Sequence, residues 1–408
     1  MILSRKIRII PTKSQEEKLW KSVGTARYIY NWTLDKQIKH FESTRKLNKI
    51  SDNDLRKEIT ILKKSELLWL NEVSNNVAKQ SIKDCCKAID RFYKESNKHG
   101  YKYRNSALKS GKVLNFRDFE DFPRFKSRKY SKKSFYNDTS KLLVKENLVL
   151  IEKVGWIKTV EQIPVNTKYT NPRVSFDNKY WYISVGIEKS ENNTDLTGES
   201  IGIDLGIKSL AVCSNIGKPF KNINKTKEIK RLKKKLKRNQ RKVSRKYENN
   251  KIQNGKVGEN RYKFTKTNNI IKLENQVKLI QRRLKNIRLN HIHQATSLIV
   301  KTKPSKIVME DLNVKSMMKN KHLSKAISEQ KFYEFIRIMK YKSEFNGIEF
   351  IQADRFYPSS KTCSNCGSIK KDLKLKDRVY VCPHCGLTID RDKNASINLS
   401  RYKISKVS

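Results

Sequence analysis

Apolar residues recur at different periods along this chain, and each change of period marks a change of element. SRKIRIIP (4–11) reads as a short strand ended by Pro11. Thr12 or Ser14 can then cap a helix carrying Leu19, Val23, Ala26 and Tyr30 at helical spacing. Helical patterning continues to about residue 97, with Val73, Val77, Cys85, Ile89 and Phe92 along one seam. From 141 to 190 the pattern becomes strand-like. KLLVKENLVLIEK and PRVSFDNKYWYISVGIE are rich in β-branched and aromatic residues, and Asp177-Asn178 suits a hairpin turn. The polar KSENNTDLTGES (189–200) reads as a linker, and ESIGIDLGIKSLAVCSNIG as two hydrophobic strands joined at Gly206.

Two seams follow. Ile229, Leu232, Leu236 and Val243 form one; Leu273, Val277, Ile280, Leu284 and Ile287 form the other, a pattern that predicts an antiparallel helical hairpin. KPSKIVMEDL reads as a buried strand, 327–345 as a helix, GIEFIQADRF as a strand and NASINLSRYKIS as a closing helix.

Charge changes the picture. The 408 residues allow two or three domains, and 37% hydrophobic content favours folding over disorder. Lys and Arg number 91 against 40 Asp and Glu, a net charge of +51. Such a chain repels itself unless a polyanion neutralises it, so nucleic acid is the expected partner. The basic run 227–247 is expected to line a polyanion groove; a merely solvated face is the alternative. No segment reaches the roughly 18 apolar residues of a membrane span, and the basic residues of MILSRKIRIIPTKS argue against a secretory signal. The segment 104–138 interleaves aromatic and basic residues. Phe122, Phe125 or Tyr130 could stack on bases, or equally anchor a loop to the core.

Seven cysteines, an odd number, point to a reducing compartment. Cys85 reads as a core thiol; a vicinal disulfide with Cys86 is the unfavoured alternative. Cys363-x2-Cys366-x15-Cys382-x2-Cys385, each pair followed by a glycine (Gly367, Gly386), has the spacing of a thiolate zinc ribbon. Four thiolates close the coordination sphere, and His384 should point away. The Zn²⁺ is therefore structural, contributing on the order of 10 kcal/mol to local folding.

The chemistry must lie elsewhere. Asp204 sits inside an apolar strand, Glu310 ends another, and Asp390 and Asp392 stand before the last helix. Buried acids are costly without a cation. One of Asp390 and Asp392 can be a helix cap, and spacing alone does not say which. Hard oxygen ligands suit Mg²⁺ or Mn²⁺, two of which about 4 Å apart could hydrolyse a phosphodiester. Basic surface and acid pocket together suggest a nuclease or transposase core with a ribonuclease-H-like fold.

IGIDLGIKSLAV, KIVMEDLNVKSM, RFYPSSKTCSNCG, VCPHCG and DRDKNASINL, in that order, resemble the RuvC motifs and zinc ribbon of the transposon-encoded TnpB (OrfB) family, relatives of type V CRISPR effectors. TARYIYN and FPRFKSRK extend the resemblance over nearly the whole chain. It implies a catalytic, Mg²⁺-binding triad of Asp204, Glu310 and Asp392, and so chooses Asp392 over Asp390; Ser396 replaces an alanine common in relatives. It implies a multidomain α/β chain with a RuvC (ribonuclease-H-like) domain. A wedge-type β-barrel would comprise residues 1–10 and 104–195, and a helical recognition domain 11–103. The nuclease domain would span 196–357 and 389–408, with the zinc ribbon at 358–388. The implied activity is RNA-guided DNA cleavage beside a short target-adjacent motif at one RuvC site. Guide RNA from the transposon end and double-stranded DNA are the implied partners, with a monomer in the prokaryotic cytoplasm, at the nucleoid. Exchange of DNA–DNA for RNA–DNA pairing is nearly energy-neutral, so a basic channel can tip it.

Three alternatives use the same motifs. IGIDLG also resembles a phosphate-loop turn of actin-like ATPases, against which stand the ribbon, the charge and only 14 glycines. A DNA transposase would join strands with the same core and without RNA. A nuclease-inactive RNA-guided repressor would bind DNA and leave it whole.

Overall fold

The computed structural model describes residues 1–44, 49–99, 122–165, 167–190, 195–253, 262–374 and 377–403. They fall into two compact units, Ile2–Lys189 and Ser190–Ser408.

In the first unit, β1 (Ile2–Ile10) leads into α1 (Lys13–Thr44), α2 (Asp52–Leu62), a 3₁₀ turn (Leu68–Glu72) and α3 (Asn75–His99). Strands β2 (Lys133–Tyr136), β3 (Leu143–Lys145), β4 (Leu148–Ile151), β5 (Gly155–Thr159), β6 (Tyr169–Phe176) and β7 (Trp181–Glu188) follow. Thr12 is the cap of α1: Gln15 N donates to its Oγ1 at 3.3 Å, and Thr12 N donates to Gln15 Oε1 at 3.0 Å. The strands make one antiparallel sheet in the order β2-β6-β7-β1-β5-β4-β3. Ile7 and Ile9 of β1 enter its core with Ile151, Ile157 and Ile183, beneath Leu19 and Ala26 of α1. Alternate residues Lys6 and Arg8 lie over the Tyr182 and Tyr180 rings at 4.1 and 3.5 Å. The helical run expected to about residue 97 is broken into three helices and the 3₁₀ turn.

Cys85 is a core thiol beside Tyr30, Leu34 and Phe92, and burial pushes its pKa up. Cys86 is a free thiol that packs separately, with Ile29, Leu55 and Ile82. Of the aromatic–basic segment, 104–121 lies outside the described residues. Beyond it Phe122 is an anchor, edge-on to Phe92 at 5.2 Å. Asn31 holds the Lys126 backbone, donating to its carbonyl at 3.0 Å and accepting from its N–H at 2.7 Å. Phe125 and Tyr130 remain exposed.

The second unit runs β8 (Thr197–Leu205), β9 (Ser209–Cys213), β10 (Phe220–Lys221), α4 (Lys227–Asn249), β11 (Lys251–Gln253), β12 (Tyr262–Phe264) and α5 (Asn268–Lys301). It continues β13 (Pro304–Glu310), α6 (Val314–Met317), α7 (Ser324–Gln330), α8 (Phe332–Phe345), β14 (Glu349–Ala353), β15 (Val379–Val381), β16 (Thr388–Asp390) and α9 (Arg391–Ser400). The main sheet has the order β10-β9-β8-β13-β14. β8, β13 and β14 are parallel, and β9 runs antiparallel to β8. Ile201, Ile203, Ile307 and Met309 bury one face with Ile299 of α5 and Phe335 and Met339 of α8. Val308 and Ile351 bury the other with Leu399 and Tyr402.

Three boundaries differ from the sequence reading. The polar linker expected over 189–200 gives way to strand at Thr197, whose N–H donates to Lys303 O at 2.7 Å. A distant partner recruits residues of low strand propensity. The helix expected over 327–345 is two helices, because Lys331 is left-handed (φ 58°). That break lets buried Gln330 donate to Gly206 O at 3.0 Å while Phe332 enters the core. The last helix starts at Arg391, three residues before Asn394.

Candidate active site and metal centre

The ribbon first. Cys363 and Cys385 sulfurs lie 3.6 Å apart, as do those of Cys366 and Cys382, and all four fall within 4.8 Å of one another. The edge of a tetrahedron with Zn–S bonds of about 2.3 Å is about 3.8 Å, whereas a disulfide needs about 2.05 Å. The cysteines therefore fit a Zn²⁺ ion, as their spacing predicts. Gly367 and Gly386 have φ of 77° and 71°, a left-handed turn that glycine alone adopts without strain. Asn365 N–H and Cys385 N–H point at Cys363 and Cys382 sulfurs at 3.4 and 3.5 Å. The Ser368 hydroxyl draws the Cys382 thiol down to about 5 and Cys366 to about 7. His384 is exposed and outside the cluster. Buried Tyr380 fills the space under Cys363 and Cys382 and donates to Lys361 O at 3.2 Å.

The ribbon is stitched to α9. Asn394, fully buried, accepts from Ser364 N at 2.9 Å and donates to Thr362 O at 2.7 Å. Asn398 donates to Ser359 O and Thr362 O, each at 2.7 Å. Asp390 caps the helix, accepting from Asp392 N at 3.0 Å and Lys393 N at 3.1 Å. Capping occupies exposed Asp390, and Asp392 in the first turn is left to face the sheet.

The acids come together by strand alternation. Ile201 and Ile203 point into one core, so Gly202 and Asp204 share the opposite face of β8. Val308 pairs with Gly202 and lies on that same face, so Glu310, two residues on, stands beside Asp204. α9 crosses directly over Gly202. An added Cβ there would meet Ser396 O at 2.0 Å and Ser400 N at 2.3 Å. One turn before Ser396, Asp392 reaches the same strand ends. The Asp204 carboxyl is held well above the ordinary range, first by burial, then by the Glu310 and Asp392 charges and, less, by Asp390; Arg391 opposes them. Among the described residues the three acids are not drawn within 4.8 Å of one another as the four sulfurs are. Arg391 bonds Asp392 at 3.1 Å, and Ser359 Oγ donates to Glu310 Oε1. Carboxylate oxygens are the hard donor type that divalent cations such as Mg²⁺ or Mn²⁺ prefer.

The basic hairpin has the antiparallel register its seams predict. Asn224 accepts from Arg288 at 2.8 Å, Glu228 pairs with Arg283 at 2.7 Å, and Tyr247 donates to Glu274 at 2.9 Å. Ile229, Leu232 and Leu236 pack against Ile280, Leu284 and Ile287. Lys234, Lys237, Arg238, Arg241, Lys242 and Arg245 line a groove of about 390 Å³ along α4. Among the described residues no helix is long and apolar enough to cross a membrane.

Ser359, Asn394, Asn398 and Arg391 shape the site without having been singled out in the sequence. The one available signal was polar residues at buried helical positions of α9; Ser359 left none.

Fold and site define a class: a mixed α/β protein whose sheet carries an acid cluster beside a four-cysteine ribbon. Residues 332–399 match the family described as Cas12f1-like, TNB domain, and residues 182–321 the OrfB family described as a probable transposase. Residues 1–46 match the OrfB helix-turn-helix domain, although the described residues among them, 1–44, form β1 and one long helix. Over these segments the chain is similar to the TnpB (OrfB) family. A Streptomyces pristinaespiralis protein, provisionally named an RNA-guided DNA endonuclease, is 28% identical over 97% of this chain and 87% of its own. InsQ of Escherichia coli K12, provisionally named likewise, is 26% identical over 97% and 90%. The solved mini-RNA-guided endonuclease CRISPR-Cas_phi3 aligns over 98% of this chain and 92% of its own, at 13% identity and a TM-score of 0.46.

Proposed function

We propose that this chain is an RNA-guided DNA endonuclease, hydrolysing target phosphodiesters at a single site made by Asp204, Glu310 and Asp392. The observation that carries the reading is that Asp204 and Glu310 lie at the C-terminal ends of adjacent central strands, with the Asp392 charge of α9 acting on Asp204, in a chain with charge +51. The strand order, with β9 antiparallel and three parallel strands beyond it, supports a ribonuclease-H-like core. The names of the Streptomyces and Escherichia coli relatives, matched end to end, support the activity.

Mg²⁺ or Mn²⁺ held by the acids would supply an activated water and neutralise the leaving oxygen. The chain's own groups fix the geometry. Asp204 and Glu310 ride on strands, Ser359 orients one Glu310 oxygen, and the four-cysteine ribbon, which would hold zinc, anchors the helix that carries Asp392. The basic face of α4 gathers phosphates. In this reading residues 1–195 hold the guide duplex and read the target-adjacent motif.

The test uses the protein purified with its co-purifying RNA, Mg²⁺ and DNA matching that RNA. Wild type cuts, and Asp204→Ala binds the DNA in an RNA-dependent way without cutting it. Equal cutting by the variant refutes the assignment. Joined strand ends formed without RNA would instead identify a transposase.

A further inference from the structure

The acid cluster already contains a cation. Arg391 donates to one Asp392 oxygen through Nη2 at 3.1 Å and Nε at 3.3 Å. Both side chains are mostly buried, at 15% and 13% exposure. Its charge also acts on Asp204, against the pull of Glu310 and Asp392. Neighbouring cations are engaged elsewhere: Arg355 with Asp311 at 2.6 Å, and Lys393 with Cys213 O and Ser214 O at 3.0 and 2.7 Å. The Arg391 backbone is fixed by its N–H to Arg378 O at 2.9 Å.

A guanidinium cannot discharge itself by losing a proton. Repelling, desolvated carboxylates are stabilised without metal by protonation or by a positive partner, and Arg391 is the partner paired with Asp392. A divalent ion that takes the same Asp392 oxygen competes with Arg391 for its charge, and repulsion between the two cations favours release of the guanidinium. Once released, the guanidinium is a planar fork matched to phosphate oxygens, on a tether rooted at the site.

We propose that Arg391 is a placeholder cation: it neutralises Asp392 until a divalent ion binds and then turns to a phosphate oxygen of the bound strand. This rests on the acid-site reading above, and the experiment separates the two.

Mn²⁺ binding to the full-length, zinc-loaded, RNA-free chain is measured by electron paramagnetic resonance, with Asp392→Asn as the baseline. Arg391→Gln removes the competitor and should bind Mn²⁺ about tenfold more tightly, the scale of one charge-assisted hydrogen bond. Arg391→Lys keeps a cation and should bind near the wild-type value, which also guards against a misfolded glutamine variant. At saturating Mn²⁺, single-turnover DNA cleavage by the RNA-loaded glutamine variant should fall about tenfold, through loss of the phosphate contact. Unchanged or weaker Mn²⁺ affinity in Arg391→Gln overturns the placeholder. Tighter binding with undiminished cleavage overturns the phosphate role. Wild-type binding no stronger than Asp392→Asn overturns the acid site itself.

Discussion

Gly202→Ala tests how closely the acid geometry depends on backbone packing. The new methyl would sit 2.0 Å from Ser396 O, 2.3 Å from Ser400 N and 2.8 Å from Leu399 Cβ. Two of these are backbone atoms of α9, so no rotamer change relieves the contact. Moving Ser396 O out to about 3.4 Å, the lower limit of ordinary contact, shifts the helix by about 1.4 Å. Overpacking of this kind costs about 1–3 kcal/mol of stability, which a domain of this size survives. The acids suffer more. Asp392 rides on the displaced helix, and a misplacement of about 1 Å at reacting groups can cost about a hundredfold in rate. Single-turnover cleavage by the RNA-loaded variant should therefore drop by about two orders of magnitude while thermal unfolding moves only a few degrees. Gly217→Ala, which meets nothing within 4 Å, is the neutral control. Cleavage at the wild-type rate in a folded Gly202→Ala protein would refute the claim that α9 on β8 sets the site.

Three further outcomes follow. Cys382→Ser, or chelation of zinc, should unmoor α9 through the Asn394 and Asn398 bonds and lower both melting temperature and cleavage; full activity at zero zinc content contradicts the scaffold. Lys342, held to His293 O, Thr296 Oγ1 and Ser297 Oγ, is pushed down by burial to about 8 from 10.5. Its unfolded form binds a proton that the folded form has lost, so stability should rise with pH between about 8 and 10.5, and Lys342→Met should flatten that rise in denaturant titrations. If α4 neutralises six to ten phosphates, nucleic acid affinity should fall roughly 10³–10⁵-fold from 50 to 200 mM salt; a flat salt titration would leave its basic face a solvated surface.

Much of the site was legible in the residues. The CxxC pairs announce a thiolate centre because a metal dictates spacing and a following glycine, and both are local. The α4–α5 seams and the strands around Asp204 and Glu310 were legible because burial of one face imposes a period. The Lys331 break was not. It serves a hydrogen bond from Gln330 to Gly206, more than a hundred residues away, and no local pattern records that demand. Thr197–Ser200 likewise became strand only because β13 lies alongside.

By itself the sequence displayed the CxxC spacing, the charge of +51 and the acids placed in or beside apolar strands. The tertiary structure decided which faces the acids take. Strand alternation turns Asp204 and Glu310 to one face, the missing side chain at Gly202 lets α9 lie on that face, and Asp390 caps α9 while Asp392 pairs with Arg391. The tertiary structure also decided that Arg391 stands among them. Spacing along a chain encodes periodicity and metal geometry, whereas convergence of distant elements depends on how faces pack, and packing is a property of the folded whole.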